Sequence, residues 1–214
     1  MAEADPRQPW RTDHPWNPAG GPGARHRRAR RTLFWGAAVA AVLVPWNGLA
    51  AVRPDLVPPG AVAVADLVPV ALLLRGAWLR RAWRRSGAAR LRYDRFPFFL
   101  GEPFEAVLLL GPEAGEGAVE VSLACREGRL AESAAGLAWK DVEVYRATQV
   151  VLAAPETPVA FELPAAEREL GTSLGGRDAR RWELRVRGRA GARVDETFPV
   201  PVYAPPVDEA AATG

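Results

Sequence analysis

The sequence predicts a two-helix transmembrane hairpin followed by an all-β antiparallel sandwich of about seven strands. Three observations carry that prediction. Two apolar runs of bilayer length lie between arginine clusters, the apolar period changes to two near Leu91, and a series of short strands follows, each with one apolar face.

The first 31 residues are rich in proline, glycine and charge and show no periodicity, so they read as a disordered basic tail. Trp10 and Trp16 are unusual in such a stretch, and a weak tail contact is expected of them rather than a site for a membrane interface or a partner. "RHRRARR" (Arg25–Arg31) then meets the uncharged run Thr32–Val52. That run has about the 20 residues needed to cross a hydrocarbon core. Trp35 lies near its start, and Pro45 inside it is tolerable as a kink. Pro58, Pro59 and Gly60 turn the chain into a second run, Ala61–Leu79, apolar except for Asp66 and Arg75.

The hairpin region is thus 32–85, with spans at about 32–52 and 61–79. Its expected interfacial anchors are Trp35, Trp78 and Trp83, with Arg30, Arg31, Arg80, Arg81, Arg84 and Arg85. An arginine at a helix centre costs ~2.5–3.5 kcal/mol on the insertion scale, so the clusters must stop at the interfaces. The positive-inside rule places both termini in the cytoplasm of a bacterial inner membrane, with the lipid bilayer as a partner. A cleaved signal is disfavoured, because no clean cleavage site follows and a second apolar run comes at once. Asp66 is expensive within a span. It is expected to pair with Asn47 and fix the hairpin rather than to carry transport.

The second half alternates. Strands are expected near Leu91–Asp94 and Phe104–Leu110, and "GAVEVSLACRE" points Val119, Val121, Leu123 and Cys125 to one side. "WKDVEVYRATQVVL" predicts a long strand or two, "PVAFELP" a short one, and "RWELRVRGR" sets Trp182, Leu184 and Val186 against Glu183, Arg185 and Arg187. The prolines of "ETFPVPVY" confine the last run to an edge or a bulge. Together these predict two packed sheets over residues 90–203, with 204–214 a disordered tail.

"PVAFELP", a small-residue loop, "RWELRVRGRAG" and "ETFPVPVY" resemble the end of an arrestin-like (immunoglobulin-like) sandwich, as found in a family of bacterial membrane proteins with two transmembrane helices. "FPFFLGEPFEAVLLL" is similar to the opening of that domain, and the resemblance covers about Leu91–Tyr203. It implies an adaptor or scaffold role, and it carries no catalytic residue.

The charge is split. Residues 1–100 hold sixteen arginines against six acids, and the remainder holds twelve bases against nineteen acids. An acidic second half argues against a nucleic-acid surface there. Cys125 is the only cysteine, so no intramolecular disulfide forms, and its place in the alternation predicts a buried structural thiol. "GTSLG" (Gly171–Gly175) spells the G-x-S-x-G of a hydrolase nucleophile elbow. An elbow needs a buried strand before the serine, a helix after it and a histidine later in the chain. "PAAEREL" precedes Ser173, "GGRDARRW" follows it, and His14 and His26 both lie ahead of the first apolar run. No phosphate loop, zinc set or calcium loop is present in the sequence. The expectation is therefore a non-enzymatic, membrane-anchored adaptor that needs no cofactor or metal and binds another protein. The alternative is a small subunit of a membrane transport or envelope-assembly complex in which Asp66 is functional.

Overall fold

The structure, a computed structural model, describes residues 9–11, 14–52, 59–85, 88–133, 136–165, 168–174 and 179–206. The chain forms two compact units, residues 24–86 and residues 1–23 with 87–214. In chain order the elements are β1 (Gly21–Pro22), α1 (Ala24–Val52), α2 (Pro59–Arg85), β2 (Ala89–Tyr93), β3 (Phe98–Phe99), β4 (Pro103–Leu110), β5 (Ala118–Ser133), β6 (Gly136–Leu152), β7 (Glu156–Glu162), β8 (Arg180–Arg189), β9 (Asp195–Val200) and β10 (Val202–Tyr203).

Two four-stranded antiparallel sheets, in the orders β1-β2-β4-β7 and β6-β5-β8-β9, make up most of the larger unit. The inward positions of each strand follow the two-residue pleat. Leu91, Phe104, Leu108, Val159 and Phe161 of the first sheet join Val121, Leu123, Trp182, Leu184 and Phe198 of the second in one buried core. Each such side chain contributes ~1.5–3 kcal/mol when removed from water. The expected inward set of β5 is fully buried. Ser122 and Ala124, on its outward face, are buried as well. Their register neighbours on β8 and β6 are Arg185, Glu183 and Arg146, whose long side chains flank the two small ones.

The β part differs from a two-sheet sandwich of about seven strands: the described residues form ten strands in three sheets. The last run, expected at an edge or a bulge, breaks at Pro201. Its first part, β9, is an edge strand as the prolines require. Its second, β10, leaves the sheet and pairs in parallel with β3. The N-terminal stretch expected to be a tail holds β1, which pairs with β2 through Gly21↔Leu91 and Pro22↔Arg90. A turn leads into β1: Gly20 N–H donates to the Asn17 carbonyl at 2.9 Å, and Ala19 N–H donates to Asn17 Oδ1 at 3.2 Å. Asn-Pro-Ala-Gly supplies what such a turn needs, with proline second and glycine last. Gly20 has φ +79°, and a Cβ there would stand 2.0 Å from the Leu91 carbonyl oxygen, so only glycine fits.

In the smaller unit the helices pack antiparallel. Gly36 lies against Leu73, Gly76 against Leu33, and the His26 ring sits 4.5 Å from that of Trp83. Gly36 and Gly76 are buried, and the lack of a side chain at each allows the close approach. Phe34, Trp35, Val42, Leu74 and Trp78 face outward.

The transmembrane hairpin is not supported. Among the described residues, no helix is long and apolar enough to cross a membrane. Helix α1 starts at Ala24, so Arg25, Arg27, Arg28, Arg30 and Arg31 belong to the helix itself. The uncharged run Thr32–Val52 is thus one part of a 29-residue helix whose first two turns are basic. In α2, Arg75 interrupts the apolar run, and Arg80, Arg81, Arg84 and Arg85 follow in the same helix. Counting apolar residues measured the runs but not the helices that contain them. The expected multi-pass placement in a bacterial inner membrane, with both termini cytoplasmic, falls with the spans.

Candidate protein-binding surface

The longest strands, β5 and β6, build the most exposed feature of the sandwich. Strand β8 accompanies β5 only from Ala118 to Glu127, whereas β6 stays paired with it to Ser133↔Gly136. Beyond Glu127 the β5–β6 hairpin is therefore a two-stranded arm. Leu130 stands directly opposite Trp139, and Leu137 is opposite Glu132, so the three apolar residues share one face. They are 52%, 55% and 68% exposed. Arg129 and Lys140 pair on the other face. An isolated two-stranded ribbon is marginal in water, and one that shows Leu, Leu and Trp on a single face has apolar area left to bury.

A bulge sets the arm's direction. Cys125 pairs with Tyr145 and Arg126 with Glu143, leaving Val144 as the extra residue. It changes which residues of β6 face the core: Tyr145, Ala147 and Val151 pack inward, while Val150 and Leu152 are exposed on the outward face. A lattice of ion pairs surrounds the base of the arm. Arg126 reaches Glu143 at 3.9 Å and Glu183 at 3.7 Å, Arg146 donates to Glu143 at 2.5 Å, and Arg181 reaches Asp141 at 2.5 Å and Glu183 at 3.0 Å. The hydrogen bond from Arg146 holds the Glu143 carboxyl below its ordinary pKa, and that from Arg129 does the same for Glu127. These pairs are half-exposed, so they fix the geometry of the base more than they add stability.

The edges of the sheets are unequal. Strands β1, β7 and β9 carry Pro22, Pro158 and Pro199, and a proline blunts an edge because it offers no N–H. Strand β6, 17 residues long, has no proline and, among the described residues, pairs with β5 alone. Its backbone is the sandwich's long template for an added strand.

The residues singled out in the sequence lie elsewhere. Ser173 forms an isolated bridge with Arg180, its N–H donating at 3.0 Å and its carbonyl accepting at 2.7 Å. That bridge places Ser173 beside the start of β8. Cys125 is fully buried, with Sγ 3.7 Å from the Leu170 carbonyl, and burial pushes its pKa up to about 12. The same carbonyl accepts the Trp182 indole N–H at 2.7 Å. Asn47 lies half-buried in α1, but the side chain of Asp66, and with it their expected pair, falls outside the described residues. The arginines and Trp35 and Trp78 named as anchors are exposed on the helices, and Trp83 is half-buried against His26. The arm residues were not singled out from sequence. Their signal is the small-residue break Ala134–Gly136 between two stretches of alternation, which marks a hairpin.

No family model matches the chain, and no curated protein matches it. Among solved structures it is similar to the sporulation control protein Spo0M from Bacillus subtilis, with a TM-score of 0.39 at 12% identity. The match covers 54% of this chain and 49% of that one, about half its length. A likeness at this level carries no argument about fold or function.

Proposed function

We propose that the chain is a non-enzymatic protein-binding adaptor whose sandwich, of the arrestin-like kind its strand motifs resemble, takes a partner along β6 and the β5–β6 arm. The observation that supports this reading most is the proline-free edge of β6 ending beside an apolar face of Leu130, Leu137 and Trp139. A partner's extended segment gains backbone hydrogen bonds from the edge and specificity from side chains that meet that face. Trp139 is the expected anchor, since a large aromatic side chain loses little conformational entropy on binding.

The test compares the full chain with Leu137→Ser and Trp139→Ser in cross-linking and co-purification. Loss of the same cross-linked partner in both variants, at unchanged melting temperature, is the expected result. A partner that does not cross-link to the arm of the full chain, or that both variants retain at full yield, refutes the assignment.

A further inference from the structure

The N-terminal segment lies on the sandwich as a ligand would. The Trp10 ring stands edge-on to Phe99 at 5.5 Å and tilted against Tyr203 at 5.7 Å. The Trp16 indole N–H donates to the Tyr203 hydroxyl at 2.9 Å. After the Asn17–Gly20 turn the backbone presses against Leu91 and adds β1 to the edge of β2. The receptor side consists of β2, β3 and β10, all from the later part of the chain, whereas the segment precedes the whole helical unit. Its backbone hold is slight. The β1–β2 ladder is two residues long, and one of them is Pro22, which has no N–H to donate. The hold rests instead on two indoles, each meeting an aromatic partner, which is how peptide-binding domains read side chains beside an added strand.

We infer that the β2 edge with Phe99 and Tyr203 is a docking groove for an extended peptide segment that carries two aromatic residues, occupied in this structure by the chain's own residues 9–11 and 14–22. Its partner is a protein segment of that chemistry, which enters when the resident segment leaves. Tethering gives the resident an effective concentration in the millimolar range, so an incoming segment must bind better than the resident or arrive where the resident is weakened. This groove is separate from β6 and its arm, and neither assignment depends on the other.

A labelled synthetic peptide of residues 9–23 tests the groove by fluorescence anisotropy against three full-length proteins: wild type, Trp10→Ala with Trp16→Ala, and that double variant with Tyr203→Phe. The double variant empties the groove's side-chain sites without altering the receptor, and a thermal melt checks that it is folded. The expected result is binding to the double variant at least tenfold tighter than to wild type. Tyr203→Phe should weaken it about fivefold, and a peptide with both tryptophans replaced by alanine should not bind. Equal binding to wild type and the double variant overturns the inference. So does failure of the tryptophan peptide to outbind its alanine control on a folded double variant.

Discussion

Replacing Trp182 by phenylalanine probes the centre of the sandwich. Trp182 is 1% exposed, and its indole N–H reaches the Leu170 carbonyl at 2.7 Å. Phenylalanine cannot donate, which leaves that carbonyl with the weak Cys125 thiol donor at 3.7 Å. An under-satisfied buried acceptor costs ~1–3 kcal/mol. The smaller ring leaves a void of a few tens of Å³, which at ~24 cal/mol per Å³ adds about 1 kcal/mol. The expected loss is therefore about 2–4 kcal/mol, read from urea unfolding followed by far-UV circular dichroism. Cys125 sits opposite Trp182 in the β5–β8 register, so the two donors share one acceptor. Cys125→Ala should consequently cost more in the Trp182→Phe background than in wild type, with a coupling of ~0.5 kcal/mol or more. A loss below about 1 kcal/mol for Trp182→Phe, or strictly additive effects, would show that the Leu170 carbonyl does not depend on these donors.

Three further outcomes follow from particular residues. The Cys125 thiol, raised from an ordinary value of 9.0 to about 12, keeps its proton in the folded chain while the unfolded chain loses it. Its contribution is complete below pH 9 and declines as pH rises through about 12, so wild type should lose ~1.4 kcal/mol per pH unit relative to Cys125→Ala above pH 9; parallel stability curves would contradict the burial. Gly76→Val places a Cβ 2.7 Å from Leu33 Cδ2 and 3.0 Å from its backbone nitrogen, and should destabilise the helix pair by ~1–3 kcal/mol, seen as faster amide exchange confined to residues 24–85. Glu143→Gln should cost less than ~1 kcal/mol, with the difference vanishing in high salt, since its partners Arg126 and Arg146 are half-exposed.

The strands of the sandwich were legible because alternation is a local signal. Leu184 and Val186 could face only one way once Glu183 and Arg185 lay between them, and both are fully buried. The bulge at Cys125/Arg126 was not legible, because "DVEVYRATQVV" permits either frame and only pairing with β5 shows where one gives way to the other. The two-residue strands β1, β3 and β10 carry too few residues for any period, so tertiary contact alone defines them. The Asn17–Gly20 turn was readable from its Asn-Pro-Ala-Gly order, but surrounding proline and charge masked it as tail composition. For the helices, the sequence located both apolar runs yet set their starts and ends by charge, whereas an arginine is as good a helix former as leucine. Helix α1 therefore runs back through the arginines to Ala24, which no count of apolar residues reveals.

How the molecule treats its sheet edges ties the two binding assignments together. A sandwich of open sheets exposes four edges, and each is a hazard unless blunted, covered or used. Pro158 and Pro199 blunt β7 and β9 from within. The edge of β2 is instead covered by β1, a strand that precedes both helices in the chain. The edge of β6 carries no proline and, among the described residues, no further paired strand, and its length would make it a liability were it not flanked by Lys140, Arg146 and the ion-pair lattice. Charge discourages a flat, unspecific pairing while leaving the backbone accessible to a segment whose own side chains match. A covered edge and a guarded edge are the two forms in which strand addition can be kept specific, and this chain places one on each of its two main sheets.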